Sequence, residues 1–148
     1  MKKIIVAVIV AISCFNAFSV EITHKLMSAI CLVESNGKVN AKGDYSRKTK
    51  EYRAIGAFQL WKVYVDDVNN IIKNMGCKNR YTYNDRYDYR KSYEMVVIYL
   101  NHYGKVYEKK TGKKATAEVL SRIHNGGPNG YKKEATIKYW NKVNAKMK

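Results

Sequence analysis

His24-Lys25-Leu26-Met27-Ser28-Ala29-Ile30-Cys31-Leu32-Val33-Glu34-Ser35-Asn36-Gly37 is the stretch on which the reading of the whole chain turns. Leu26, Ile30 and Val33 recur at spacings of four and three, one face of a helix, and Thr23 stands ahead of them as a capping hydroxyl. The pattern predicts a helix over about Thr23 to Glu34. Ser35-Asn36-Gly37 stops it, with Gly37 suited to a left-handed helix end. Glu34 is oddly placed for an acid. It follows Cys31 and Ile30 by three and four residues, on the flank of the apolar face. It also sits at the carbonyl end of the helix, where the macrodipole opposes negative charge. Both conditions suit a carboxyl that works as a general acid; a solvated helix-end acid is the plain alternative.

Outward from this helix the pattern stays mostly helical. Lys38 to Arg53 is polar and aperiodic, with Asn40, Gly43 and Asp44 as turn formers, and reads as a loop or a small hairpin. Helical period returns near Gln59, with Trp61, Val65, Val68 and Ile72 on one stripe and Gly76 at its end. Residues 77–91 form a basic, tyrosine-rich connection. A third helix is expected from about Ser92 to Tyr107, turning Met95, Val96, Tyr99, Leu100 and Tyr103 inward, before Gly112 breaks the chain. A short helix from about Thr116 to His124 leads into the turn Asn125-Gly126-Gly127-Pro128-Asn129-Gly130. The last helix, about Glu134 to Lys146, carries Ile137, Trp140 and Val143. No repeat and no linker divides the chain. The expectation is one α+β domain, mainly α, with a small hairpin or loop insertion after its first helix.

Composition narrows the partner. The chain has 148 residues, 28 Lys+Arg against 12 Asp+Glu and a formal charge of +16; at 46% hydrophobic it is too apolar for a disordered tail. That charge points to an anionic partner: nucleic acid, a membrane surface or an acidic polymer such as a bacterial wall. Lys2 and Lys3, then apolar Ile4 to Ile12, then Ala17-Phe18-Ser19, read as a secretory signal peptide over residues 1–19, leaving a domain over 20–148. The expected location is therefore secreted or periplasmic, with a lipoprotein attached through Cys14 as the lesser alternative. Export argues against nucleic acid, and no nucleic-acid-binding motif is visible. In an oxidising compartment Cys31 and Cys77 are expected to pair; two buried thiols are the alternative, which suits the apolar setting of Cys31. The histidines lack metal-ligand spacing, so no metal and no cofactor are expected.

Three segments now add to Glu34. Glu34-Ser35-Asn36-Gly37, Ala54-Ile55-Gly56-Ala57-Phe58-Gln59-Leu60 and Arg122-Ile123-His124-Asn125-Gly126-Gly127-Pro128-Asn129-Gly130 occur in order between about Ile22 and Val143. Together they resemble the lysozyme-like superfamily: soluble lytic transglycosylases and goose-type lysozymes. Phe58-Gln59 and Ile123 to Gly127 are also similar to invertebrate-type lysozymes. The resemblance implies a lysozyme-like single domain whose substrate is the glycan strand of peptidoglycan, within an anionic cell-wall surface; the chain is expected to act as a monomer. It implies Glu34 as catalytic acid, with Ser35, Gln59, Asn125, Gly126 and Gly127 binding substrate. Amides donate and accept hydrogen bonds and so suit uncharged sugars, and glycines let backbone approach closely. His124 stands where those enzymes usually carry Tyr. The stretch from Glu34 to Gly56 is longer than theirs, and the chain lacks the many cysteines of invertebrate-type lysozymes.

The resemblance leaves the mechanism open between two outcomes. A hydrolase of this superfamily often has a second carboxylate, and Asp44, inside the expected hairpin, is the candidate to face Glu34; Glu51 is a weaker substitute. Asp44 as an ordinary Gly-Asp turn residue is the competing view. A lytic transglycosylase manages with one Glu and leaves a 1,6-anhydro end. A non-catalytic wall-binding protein on the same fold is the third possibility. The remaining acids, Asp66 and Asp67 among them, lie in polar or amphipathic settings that call for no special account.

Overall fold

A computed structural model describes residues 20–78 and 80–148; the signal-peptide reading of residues 1–19 lies outside them. Helix α1 covers His24–Ser35 and starts as expected, with the Thr23 hydroxyl accepting from the Leu26 amide at 3.1 Å. Its left-handed cap is Asn36 (φ 55), with Gly37 (φ 80) following in the same region. Leu26, Met27, Ala29, Ile30 and Cys31 are its buried residues.

The polar stretch after α1 folds as a hairpin of β1 (Lys42–Ser46) and β2 (Glu51–Ile55), antiparallel, with Gly43 opposite Ala54 and Tyr45 opposite Tyr52. Ile55 then bridges Leu60 around a tight turn closed by the Gln59 amide on the Gly56 carbonyl at 3.2 Å. Gln59 therefore lies in this turn at φ 50, and helix α2 begins three residues later, over Lys62–Asn74. Helical period alone places Gln59 at the helix start, because a period cannot register a turn that folds back on the strand before it. Val65, Val68, Ile71 and Ile72 are the buried residues of α2.

Arg86 pins this turn. It is 5% exposed and lies in a short 3-10 turn, Tyr83–Tyr87, within the tyrosine-rich connection. Its Nη1 donates to the carbonyls of Arg53 (3.2 Å) and Leu60 (3.1 Å), and its Nε to that of Tyr83 (2.7 Å). Burial lowers its pKa. Gly56 (φ +82) packs so closely that a Cβ there would stand 1.8 Å from the Arg86 carbonyl oxygen, a place no side chain can share.

Helix α3 covers Tyr89–Thr111, longer than its apolar stripe suggested: the Asp88 carboxylate accepts from the Lys91 amide at 2.9 Å and starts it early. Gly112 (φ 67) ends it. Helix α4 covers Ala117–Gly126, two residues past the expected end, so Asn125 and Gly126 form its last turn and the chain breaks at Gly127 (φ 81). After 3-10 turns at Gly130–Lys132 and Glu134–Thr136, helix α5 covers Ile137–Lys146. The 3-10 turn shifts the inward face of this segment. Tyr139 and Val143 are buried, whereas Ile137, expected on the apolar stripe, is 42% exposed.

One core joins the five helices of the described residues and the turn after β2; Leu26, Ile30, Phe58, Val65, Met95, Leu100, Leu120 and Ile123 are fully buried in it. The fold is thus α+β, mainly α, with one two-stranded sheet among the described residues. The expected Cys31–Cys77 disulfide is not formed. Cys31 is packed in the core on α1, where burial raises its thiol pKa, while Cys77 follows the end of α2 with its sulfur toward the Met75 carbonyl at 4.0 Å. Among the described residues no helix is long and apolar enough to cross a membrane.

Candidate active site

The end of α1, the hairpin with its following turn, α2 and the end of α4 enclose a cleft of about 630 Å³. Glu34 lines it, its side chain 17% exposed. One of its oxygens is held. The Tyr139 hydroxyl donates to Oε1 at 2.7 Å, and His124 Nε2 lies 3.5 Å from the same atom. The His124 side chain is 3% exposed, and Tyr64 Oη lies 3.4 Å from its Nδ1. Tyr64 in turn stacks on Tyr99, ring centroids 3.9 Å apart. Four helices thus share the polar contacts that converge on Glu34: α1 with Glu34 itself, α2 with Tyr64, α4 with His124 and α5 with Tyr139.

Burial pushes the Tyr139 hydroxyl well above the ordinary phenol range, and the charge and hydrogen bond of Glu34 push the same way. Burial does the same to Tyr64, with smaller contributions from Tyr99, Asp67, Glu34 and Tyr103. Both phenols are therefore neutral O–H groups at any physiological pH, fit to donate.

Ser35, expected against substrate, is turned elsewhere. Its hydroxyl donates to the Ala57 carbonyl at 2.8 Å and lies 3.4 Å from that of Cys31, fastening the end of α1 to the turn before Gln59. It does not line the cleft; Gln59 does. The Gln59 Nε2 donates to the Gly56 carbonyl at 2.9 Å, and its Oε1 rests against Gly43, where a Cβ would come within 2.3 Å. Asp44 lines the cleft too, at φ 51, a left-handed conformation that Asp tolerates better than most residues. Its Oδ1 accepts from Arg53 Nη2 at 2.8 Å, and the Arg53 guanidinium lies 4.6 Å over the Trp61 ring. Both members of this pair are over a third exposed, so the bond orients Asp44 more than it stabilises the fold.

Asn125, Gly126, Gly127 and Pro128 form another lip. Only Gly127 is open: a Cβ on Gly126 would meet the Thr136 methyl at 2.6 Å, whereas one on Gly127 would meet nothing within 4 Å. Lys133 Nζ donates to the Gly126 carbonyl at 2.7 Å. The glycine pair therefore divides: Gly126 is needed by packing, and Gly127 leaves backbone open to the cleft.

Reading by sequence missed His124 as a partner of Glu34, and missed Tyr139 and Tyr64 in the contacts around it. His124 was visible only as a departure from the usual Tyr. Tyr139 has no local signal, because its position depends on the register of α5.

A family model described as Destabilase matches residues 23–146. The lysozyme of Magallana gigas is 27% identical over 146 residues, covering 97% of this chain and 93% of its own length. The lysozyme of Ostrea edulis is 28% identical over 144 residues, with the same coverages. The inhibitor-bound lysozyme from Meretrix lusoria superposes with a TM-score of 0.57 at 26% identity, over 86% of this chain and 92% of that one. The Tapes japonica lysozyme gives a TM-score of 0.59 at 24% identity, over 82% and 87%.

Proposed function

This chain belongs to the Destabilase family, and on that premise we propose that it is a lysozyme-type glycosidase. Its substrate in this reading is peptidoglycan, cut by hydrolysis at the β-1,4 bond between N-acetylmuramic acid and N-acetylglucosamine. The observation that carries it is the fixing of one Glu34 oxygen by Tyr139 in a cleft open to a polymer. With Oε1 held as acceptor, Oε2 is the oxygen that brings the proton. Glu34 gives that proton to the glycosidic oxygen, the bond to the sugar carbon breaks, and positive charge develops on the ring. Asp44 meets that charge or the incoming water, turned into position by Arg53. Gln59 and Asn125 hold N-acetyl or hydroxyl groups, and Gly127 admits the sugar close to the backbone. Ser35 acts by positioning Glu34's helix.

The names of the matched relatives support hydrolysis over an anhydro-forming reaction. Export with loss of residues 1–19, action on an anionic wall and a monomeric state belong to the same reading. Peptidoglycan digested with the protein should yield reducing muramoyl ends by mass spectrometry, and Glu34→Gln should lower the rate by at least about 10²-fold while the fold survives. Only 1,6-anhydro ends, or no release of glycan, would overturn the reading.

A further inference from the structure

The cleft and the rest of the molecule differ in charge. Of the 148 residues 28 are Lys or Arg, yet none of the described ones lines the cleft, whereas Glu34, Asp44 and Asp67 do. Glu34 is engaged by Tyr139, and Asp44 by Arg53. Asp67, on α2, is different. It is half-buried, and Tyr103 on α3 donates to its Oδ2 at 2.7 Å, which fixes the carboxylate in place. Among the described residues no Lys or Arg pairs with it, and its Oδ1 accepts no hydrogen bond.

The groups around Asp67 do not neutralise it. Tyr64, Tyr99 and Tyr103 face it from α2 and α3; burial, seconded by Asp67 itself, keeps all three phenols protonated. His102 also senses it, but burial lowers the pKa of that ring and leaves it neutral at neutral pH. A fixed, partly desolvated anion beside stacked aromatic faces, in a molecule rich in surplus cations, is a site for a cation supplied by the ligand.

We propose that Asp67, held by Tyr103 and flanked by Tyr64 and Tyr99, binds a primary ammonium group of the substrate. On the glycan this is the amine of a de-N-acetylated glucosamine; on the stem peptide it is the side-chain amine of a diamino acid. The chemistry is common to both: an ammonium donates to Oδ1 and lies against the tyrosine rings, which an N-acetylated nitrogen, uncharged and bulkier, cannot match. The two oppositely charged regions then have separate tasks. The basic exterior attracts the anionic polymer, and the acidic cleft selects the stretch of it that carries amines.

This inference rests on the reading of the cleft as a peptidoglycan site, and binding measurements separate the two. The full protein and its Asp67→Asn variant are titrated calorimetrically with four probes. These are chitotetraose in its fully de-N-acetylated and fully N-acetylated forms, and a Lys-ending stem peptide with its side-chain amine free or acetylated. We expect the unmodified protein to bind an amine form about three- to tenfold more tightly than its acetylated partner. In Asp67→Asn that ratio should fall to about one. The sugar pair or the peptide pair that shows the effect identifies the source of the amine. Equal binding of both forms in each pair, or a preference that survives in Asp67→Asn, overturns the proposal. If Asp67→Asn does not fold, amide chemical-shift changes in the unmodified protein decide: amine-dependent shifts at Tyr64, Asp67, Tyr99 and Tyr103 support it, and shifts confined elsewhere overturn it. An amine preference without glycan cleavage would leave this site standing and remove the glycosidase reading; cleavage without the preference does the reverse.

Discussion

Tyr139 and Glu34, 105 residues apart in the chain, meet through a 2.7 Å hydrogen bond from the phenol to Oε1. The bond joins the last helix to the end of the first, so the geometry of the acid depends on the packing of α5 against α1. Burial and Glu34 keep the phenol protonated, so Tyr139 remains a hydrogen-bond donor at neutral pH.

Tyr139→Phe keeps the ring and removes the donor. A hydrogen bond to a charged group is worth about 1.5–3 kcal/mol, so kcat should fall by roughly 10-fold or more while KM changes little. Steady-state kinetics on one soluble oligosaccharide, with circular dichroism as a check on folding, reads this directly. A KM increase at constant kcat would show Tyr139 to be part of the sugar site instead of a support for the acid.

Asp44→Asn should cost at least about tenfold in turnover if its carboxylate meets the developing charge, since the amide keeps the shape but not the charge. The Arg53 partner makes a second variant informative. Arg53→Met frees Asp44 to rotate, and its loss should be smaller than that of Asp44→Asn. Unchanged turnover in Asp44→Asn would return Asp44 to the role of a turn residue.

The tyrosines predict an alkaline limit to stability. Burial raises Tyr64, Tyr81, Tyr99, Tyr103 and Tyr139 above the usual value of 10.0. Above that pH the unfolded chain releases phenolic protons that the folded one retains, so stability falls as pH rises; below it these groups contribute no pH dependence. Absorbance near 295 nm should show these phenols ionising only as the far-ultraviolet dichroism is lost. A smooth titration of all 13 tyrosines near pH 10 in a folded protein would contradict this.

Gly56→Ala tests the pin between Arg86 and the turn. With φ +82 and a Cβ position 1.8 Å from the Arg86 carbonyl oxygen, the variant should lose about 2–4 kcal/mol in urea denaturation. Gly76→Ala, at φ +76 with nothing within 4 Å, should lose only about 1 kcal/mol, the backbone part alone. Similar losses in both would mean that the backbone at Arg86 yields.

The sequence by itself determined the features that depend on near neighbours in the chain. Thr23, the apolar residues at helical spacing and the Asn36-Gly37 stop are all local, so the position of Glu34 at the end of α1 was legible. The three ordered segments and the hairpin were legible for the same reason. Tertiary structure decided what Glu34 touches. Ser35 could not be seen to face Ala57, nor Gln59 to sit in a fold-back turn, because both depend on a strand ladder closing beneath them. The predicted end of α4 two residues early, and the stripe on Ile137 in place of Tyr139, hid the residues that close around the acid. Asp67 looked like one more polar residue of an amphipathic helix, since side-chain periodicity records which face is apolar and not what that face opposes. Only the packing of α2 against α3 gives it Tyr103 on one oxygen and makes it part of the cleft wall.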